Sequence, residues 1–146
     1  MVGNKNESRE IRDERERKKE ILRSYRRSVF HMDFCSEEID RLQELPQKVT
    51  QIISAMPTSA PDGSKQEMVL EQLETMKSEY LKSFAAAMED LRRVSDILDT
   101  LEGTESIAMK YKYITGLTWE SIAERLEYSV RRMLDLQNSA LDKLQI

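Results

Sequence analysis

Cysteine is nearly missing from this chain. Its single residue, Cys35, rules out an intrachain disulfide and suits a reducing compartment. Glycine and proline are scarce, four and three residues out of 146, and aromatics make up only 6%. So little punctuation suits a mostly helical, solvated protein with long helices. No run of about 18 apolar residues occurs, which excludes a membrane-spanning helix. The first residues are too charged for a secretory signal, so the cytoplasm is the expected location. Residues for catalysis are few as well. The one histidine, His31, stands four residues before Cys35, with Glu38 the nearest further ligand. A metal site needs three or four ligands, so neither metal nor other cofactor is expected. No glycine-rich phosphate loop is present, and the many carboxylates fall on polar helix faces. The chain reads as a non-enzyme.

What is abundant is charge, 34% of all residues, with 23 Lys and Arg against 27 Asp and Glu. The net charge of -4 argues mildly against non-specific nucleic-acid binding as the main task. The charge is graded along the chain. Residues 1–30 carry ten basic against six acidic groups, residues 31–101 seven against fourteen, and residues 102–146 six against seven. Residues 1–20 form a charged N-terminal extension with Ile11 as its one large apolar residue after Val2. Such a segment cannot bury a face of its own. It is either a solvated helix held by pairs such as Asp13–Arg17 and Glu14–Lys18, or an arm that touches nucleic acid or an acidic surface.

From Ile21 an apolar seam begins. Ile21, Tyr25, Ser28, Met32, Cys35, Ile39, Leu42, Pro46, Val49, Ile53 and Met56 follow one another in steps of four and three, as in a coiled coil. Pro46 predicts a kink or break around Glu44–Leu45, at roughly 3 kcal/mol. Residues 57–64 read as a loop. The seam returns with Leu70, Leu73, Lys77, Tyr80, Phe84, Ala87, Leu91, Val94, Leu98 and Leu101. Residues 21–101 are therefore expected to form a long antiparallel helical hairpin. Aligning Met56 with Leu70 puts Lys77 near Val49 and Pro46, and Ala87 opposite Ile39. Leftover apolar residues such as Leu45, Ile52, Met68, Leu81 and Ile97 are candidates for a homodimer interface.

Residues 103–146 read as a third region, three short helices. Ile107, Ala108, Tyr111 and Ile114 share a face that ends at Gly116. Thr118 is an N-cap for a second helix, whose apolar face is Trp119, Ile122, Ala123 and Leu126. Ser129 caps a third, with Met133, Leu136, Ala140, Leu141 and Leu144 inward. A three-residue turn between the last two helices makes a helix-turn-helix. The outward face of the last helix holds Arg131, Arg132, Asp135, Asn138, Ser139 and Asp142. Arg131 and Arg132 lie in its first turn, where base edges are met, and arginine can bind guanine O6 and N7. Lys110 and Lys112 are placed to touch phosphates. The expected DNA-contact set is Ser129, Val130, Arg131, Arg132, Asp135, Asn138 and Ser139, with Lys110 and Lys112. Asp135 opposes it: it repels phosphates, and four residues after Arg131 it is spaced to neutralise that arginine.

The run Tyr113-Ile114-Thr115-Gly116-Leu117-Thr118-Trp119-Glu120-Ser121-Ile122-Ala123, followed by Tyr128-Ser129 and Ala140-Leu141, resembles region 4 of sigma-70-type factors. More closely, it is similar to the small phage-encoded transcription regulators of the ArpU/RinA type. The likeness reaches upstream more loosely, to Cys35-Ser36-Glu37-Glu38-Ile39-Asp40-Arg41-Leu42. The resemblance implies an all-α protein that binds promoter or operator DNA in a bacterial host cell, and controls phage or prophage genes with host RNA polymerase. Modules of this kind often carry Arg or Gln where Asp135 stands, Lys at Ser139 and glycine at Glu127. The alternative is a coiled-coil interaction protein whose sigma-like end binds polymerase or another regulator without reading DNA.

Overall fold

The computed structural model describes residues 3–55 and 63–146. All regular structure among them is helical, as the sequence predicts. The elements are α1 (Gly3–Ala55), α2 (Gly63–Asp99), α3 (Gly103–Lys110), α4 (Trp119–Leu126) and α5 (Val130–Lys143). A π-helical turn, Tyr111–Thr115, continues α3 and ends at Gly116, whose φ of 83° is left-handed. The expected loop at 57–64 lies outside the described residues up to position 62, as does Met56, and α2 has already begun at Gly63. No described helix is long and apolar enough to cross a membrane.

Of the kink or break expected around Glu44–Leu45, the break does not occur: α1 passes through Pro46. Proline removes one backbone hydrogen bond, but the seam packs on both sides of it: Leu42 is buried and Val49 half-buried. Packing of an apolar face, rather than propensity, supplies most of a helix's stability in a folded protein.

The chain divides into two compact units, one of the residues up to Val29 with Glu89–Ile146, the other Phe30–Met88. In the second, the two helices run antiparallel. Phe34 meets Tyr80 edge to face, ring centroids 6.0 Å apart, and Gln66 donates to the Thr50 hydroxyl at 3.4 Å. These contacts set a register different from the one expected. Position 77 faces the turn around Glu38, not Val49 and Pro46. The register is held by the Phe34–Tyr80 ring contact and the Gln66–Thr50 hydrogen bond, neither of which joins two of the seam positions counted from the loop end. Cys35, Leu42 and Ala87 are buried in this unit.

The first unit holds the larger core. Leu22 comes from α1, Val94 and Leu98 from α2, Ala108 and Met109 from α3. Trp119 and Ile122 come from α4, and Met133, Leu136, Ala140 and Leu141 from α5. Leu126 packs against this core half-buried. The π turn changes the phase of the α3 face. Ile107 is exposed, Ala108 is buried and Tyr111 and Ile114 pack half-buried against the core as expected, and Met109 and Tyr113 are buried beside them. The wider turn carries more residues per revolution than the 3.6 assumed.

The N-terminal segment is exposed over residues 4–14, as a solvated helix would be, but its later turns are tied to the C-terminal helix. Lys18 is 8% exposed and donates to the Leu141 carbonyl at 2.8 Å. Arg15 forks onto Asp142 at 2.9 and 2.7 Å, and Arg17 donates to the Ile146 carbonyl. Local pairs exist too, but at i,i+3: Glu14 with Arg17 and Glu16 with Lys19.

Candidate nucleic-acid interface

The C-terminal helices are placed by three local devices. Thr118 Oγ1 accepts from the Ser121 N–H at 3.2 Å and starts α4. Ser129 Oγ accepts from the Arg132 N–H at 3.1 Å and starts α5. Each satisfies one orphan donor of a helix start. Between them, Glu127 takes a left-handed φ of 61°. The Tyr128 N–H donates to the Ala123 carbonyl at 2.9 Å, and the Glu127 N–H to Glu124 at 3.3 Å. This is the Schellman ending of a helix. α4 and α5 are thus joined by three residues, Glu127 to Ser129, as the spacing predicts.

Deeper in the unit, the Tyr113 hydroxyl donates to Gln137 Oε1 at 2.8 Å, and both residues are buried. Burial pushes the Tyr113 hydroxyl up to about 12, slightly offset by Arg23. Glu105 on α3 accepts from Ser139 at 2.9 Å and from Lys143 at 2.9 and 3.0 Å. Burial opposes its ionisation, yet the Lys143 and Ser139 bonds hold its carboxyl below the usual range. The Arg15 hydrogen bonds lower Asp142 in the same way.

The predicted contact residues separate into two sets. Arg131, Arg132 and Asp135 are exposed on α5. No ion pair joins Arg131 to Asp135, so the expected neutralisation is absent. Arg132 and Asp135 instead border an open groove shared with Thr104, Glu105, Ser139 and Lys143. The others are engaged within the fold. Ser129 caps α5 and Val130 packs half-buried against the core. Ser139 is tied to Glu105, and Asn138 is half-buried beside α1. Lys110 pairs with Asp99 at 2.8 Å, and Lys112 lies 5.6 Å above the Trp119 ring.

Sequence reading missed Arg125, whose guanidinium stacks 5.6 Å from the Tyr111 ring. It missed Glu105, the hub of α3 and α5, and Arg26, which donates to the Ile114 and Thr115 carbonyls at 3.2 and 3.4 Å. A carboxylate two residues into a helix gave no signal of its long-range partners. The same holds for Arg26, one of many cations in its stretch. In the other unit, Cys35 Sγ lies 3.6 Å from His31 Nε2. Among the described residues, no group of three or more His, Cys, Asp and Glu is placed to hold a metal. Comparison with known proteins found no matching family model, curated protein or solved structure.

Proposed function

We propose that this chain is a DNA-binding transcription regulator of the sigma-70 region 4-like kind, acting on phage or prophage genes with host RNA polymerase in the bacterial cytoplasm. One observation carries the reading. A capped helix pair with a three-residue turn leaves Arg131 and Arg132 exposed, without ion pairs, in the first turn of α5. That is where a recognition helix meets base edges, and a guanidinium can bind guanine with two hydrogen bonds. Its partner is double-stranded DNA, bound without metal or cofactor, and the module is not catalytic. A homodimer is part of the proposal, built on Ile52, Met68 and Leu81, which are exposed in the hairpin unit; Leu45 is half-buried and Ile97 packs against the core of the first unit. Selection of duplexes from a random pool tests the reading. A preferred sequence, lost in Arg131→Ala and Arg132→Ala, supports it; a pool without preference sinks it.

A second reading has its own support. Val130, Ser139, Lys110 and Lys112 are all engaged inside the fold, and Asp135 faces outward among the arginines. On this reading the module docks on polymerase or another regulator and does not read DNA. Retained polymerase association in the Arg131 and Arg132 variants, together with no duplex preference, favours it.

A further inference from the structure

The first turns of α1 carry a pattern that composition conceals. Lys5, Arg9, Arg12, Glu16, Lys19, Arg23 and Arg27 follow one another in steps of four and three, with one step of four at the end. They therefore share one face of the helix. That face holds six cations and one acid, with Asp13 and Glu20 along its edge, while Glu7, Glu10 and Glu14 fall elsewhere around the helix. All seven are exposed except Lys19, which is half-buried. Glu16 and the bordering Glu20 hold Lys19, Arg23 and Arg27 in ion pairs. Among the described residues, Lys5, Arg9 and Arg12 enter none. The strip covers roughly 33 Å at 1.5 Å per residue, close to one turn of B-DNA, about 34 Å.

The strip is not a loose arm. Arg15 on Asp142 and Lys18 on the Leu141 carbonyl fasten α1 to α5. Arg12 and Lys19, together with Glu7, Ser8 and Glu16, line one groove with Asn138. Asn138 follows Arg131 and Asp135 at steps of four and three, so it lies on the α5 face that presents Arg131. We infer that this strip of α1 is a second DNA-contacting element, which lies along the phosphates of the duplex engaged by α5. The inference rests on the DNA-reading function proposed above. Cations in a row along a helix are the electrostatic footprint of nucleic-acid binding, and phosphate contacts add affinity and orientation without sequence information. This resolves how a module whose own charge is near neutral would bind a polyanion: the cations come from the other end of the chain.

The test uses the full chain, with the duplex it selects from a random pool and a scrambled duplex of the same length, at several salt concentrations. Lys5→Ala, Arg9→Ala and Arg12→Ala are combined in one variant. These side chains are exposed and unpaired, and alanine keeps the helix. The combined variant should lose roughly ten-fold or more in affinity at low salt, equally on both duplexes, and its salt slope should fall by about 2–3, near 0.9 per contact. Its preference for the selected duplex should stay as in the parent chain. Arg9→Lys with Arg12→Lys should keep the parent slope, which separates charge from any effect on folding. If the alanine variant binds like the parent while Arg131→Ala and Arg132→Ala lose binding, the strip is plain surface and only the α5 reading survives. Tighter binding by the alanine variant overturns the inference in another way, making α1 a screen over α5. A parent chain that binds no duplex removes both readings together.

Discussion

Two single residues show how the core and the turn are specified. Tyr113 and Gln137 bring a buried hydrogen bond into an otherwise apolar cluster. The phenol of the unfolded chain ionises near pH 10, whereas burial keeps the folded one protonated to about 12. Between these values the unfolded state binds fewer protons, so stability must fall as pH rises through the window, by roughly 2–3 kcal/mol in all. Denaturant titrations at pH 7 and pH 11 should show about half of this loss in the parent chain. Tyr113→Phe should lack that part of it, while starting about 1–3 kcal/mol lower because Gln137 is left without its donor. A Phe variant with the parent's full alkaline loss would assign the effect to another tyrosine. Glu127 is the opposite case, a residue that strains its place. Its left-handed backbone closes α4, and only glycine takes that conformation freely. Glu127→Gly should raise stability by about 1 kcal/mol. A lower midpoint in the same titration would mean that the carboxylate makes up for the strain.

At the scale of elements, α4 is an eight-residue helix that stands only because its apolar face is covered. Trp119 supplies the largest part of that face, and Lys112 lies over its ring. Trp119→Ala should cost about 3–5 kcal/mol, read as an early loss of ellipticity on heating. An unchanged melting curve would show that α4 is held by its caps alone. This helix was legible in the sequence, and so was the start of α5, because a cap is a bond between residues three apart. Thr118 and Ser129 announce themselves for that reason. The face of α3 was less legible, since periodicity assumes 3.6 residues per turn and the π turn at Tyr111–Thr115 does not obey it. At Pro46 the helix does not break, because the local cost is set against packing contributed by the other helix of the hairpin. The candidate site divides along the same line. Arg131 and Arg132 could be placed on the outer face of α5 from spacing. That Ser139 would be taken by Glu105, 34 positions away, could not.

At the scale of the whole molecule, the first compact unit is assembled from both ends of the chain. Residues 1–29 and 89–146 carry 18 basic and 17 acidic groups, while Phe30–Met88 carries five and ten. The acidic excess of the protein therefore lies in the hairpin unit. The C-terminal helices look in sequence like a module that could stand alone, but their core draws Leu22 from α1 and Val94, Leu98 and Leu101 from the end of α2. Carbonyls near the ends of two helices are satisfied by α1 side chains: Lys18 serves Leu141, and Arg26 serves Ile114 and Thr115. A fragment of residues 103–146 would leave those carbonyls to water and expose the inner faces of Met109, Ile122 and Met133. Segments below about 40–60 residues bury too little surface to be stable without such help. The fragment should therefore show no cooperative thermal transition. The full chain with Lys18→Ala should remain folded but lose about 1–3 kcal/mol, the cost of a lost charge-assisted hydrogen bond and an opened seam; the Leu141 carbonyl keeps its bond from the Leu144 N–H. Circular dichroism melts of the two, beside the parent chain, decide the matter. A fragment that melts cooperatively near the parent's midpoint would show that the C-terminal helices fold by themselves and that α1 merely lies against them.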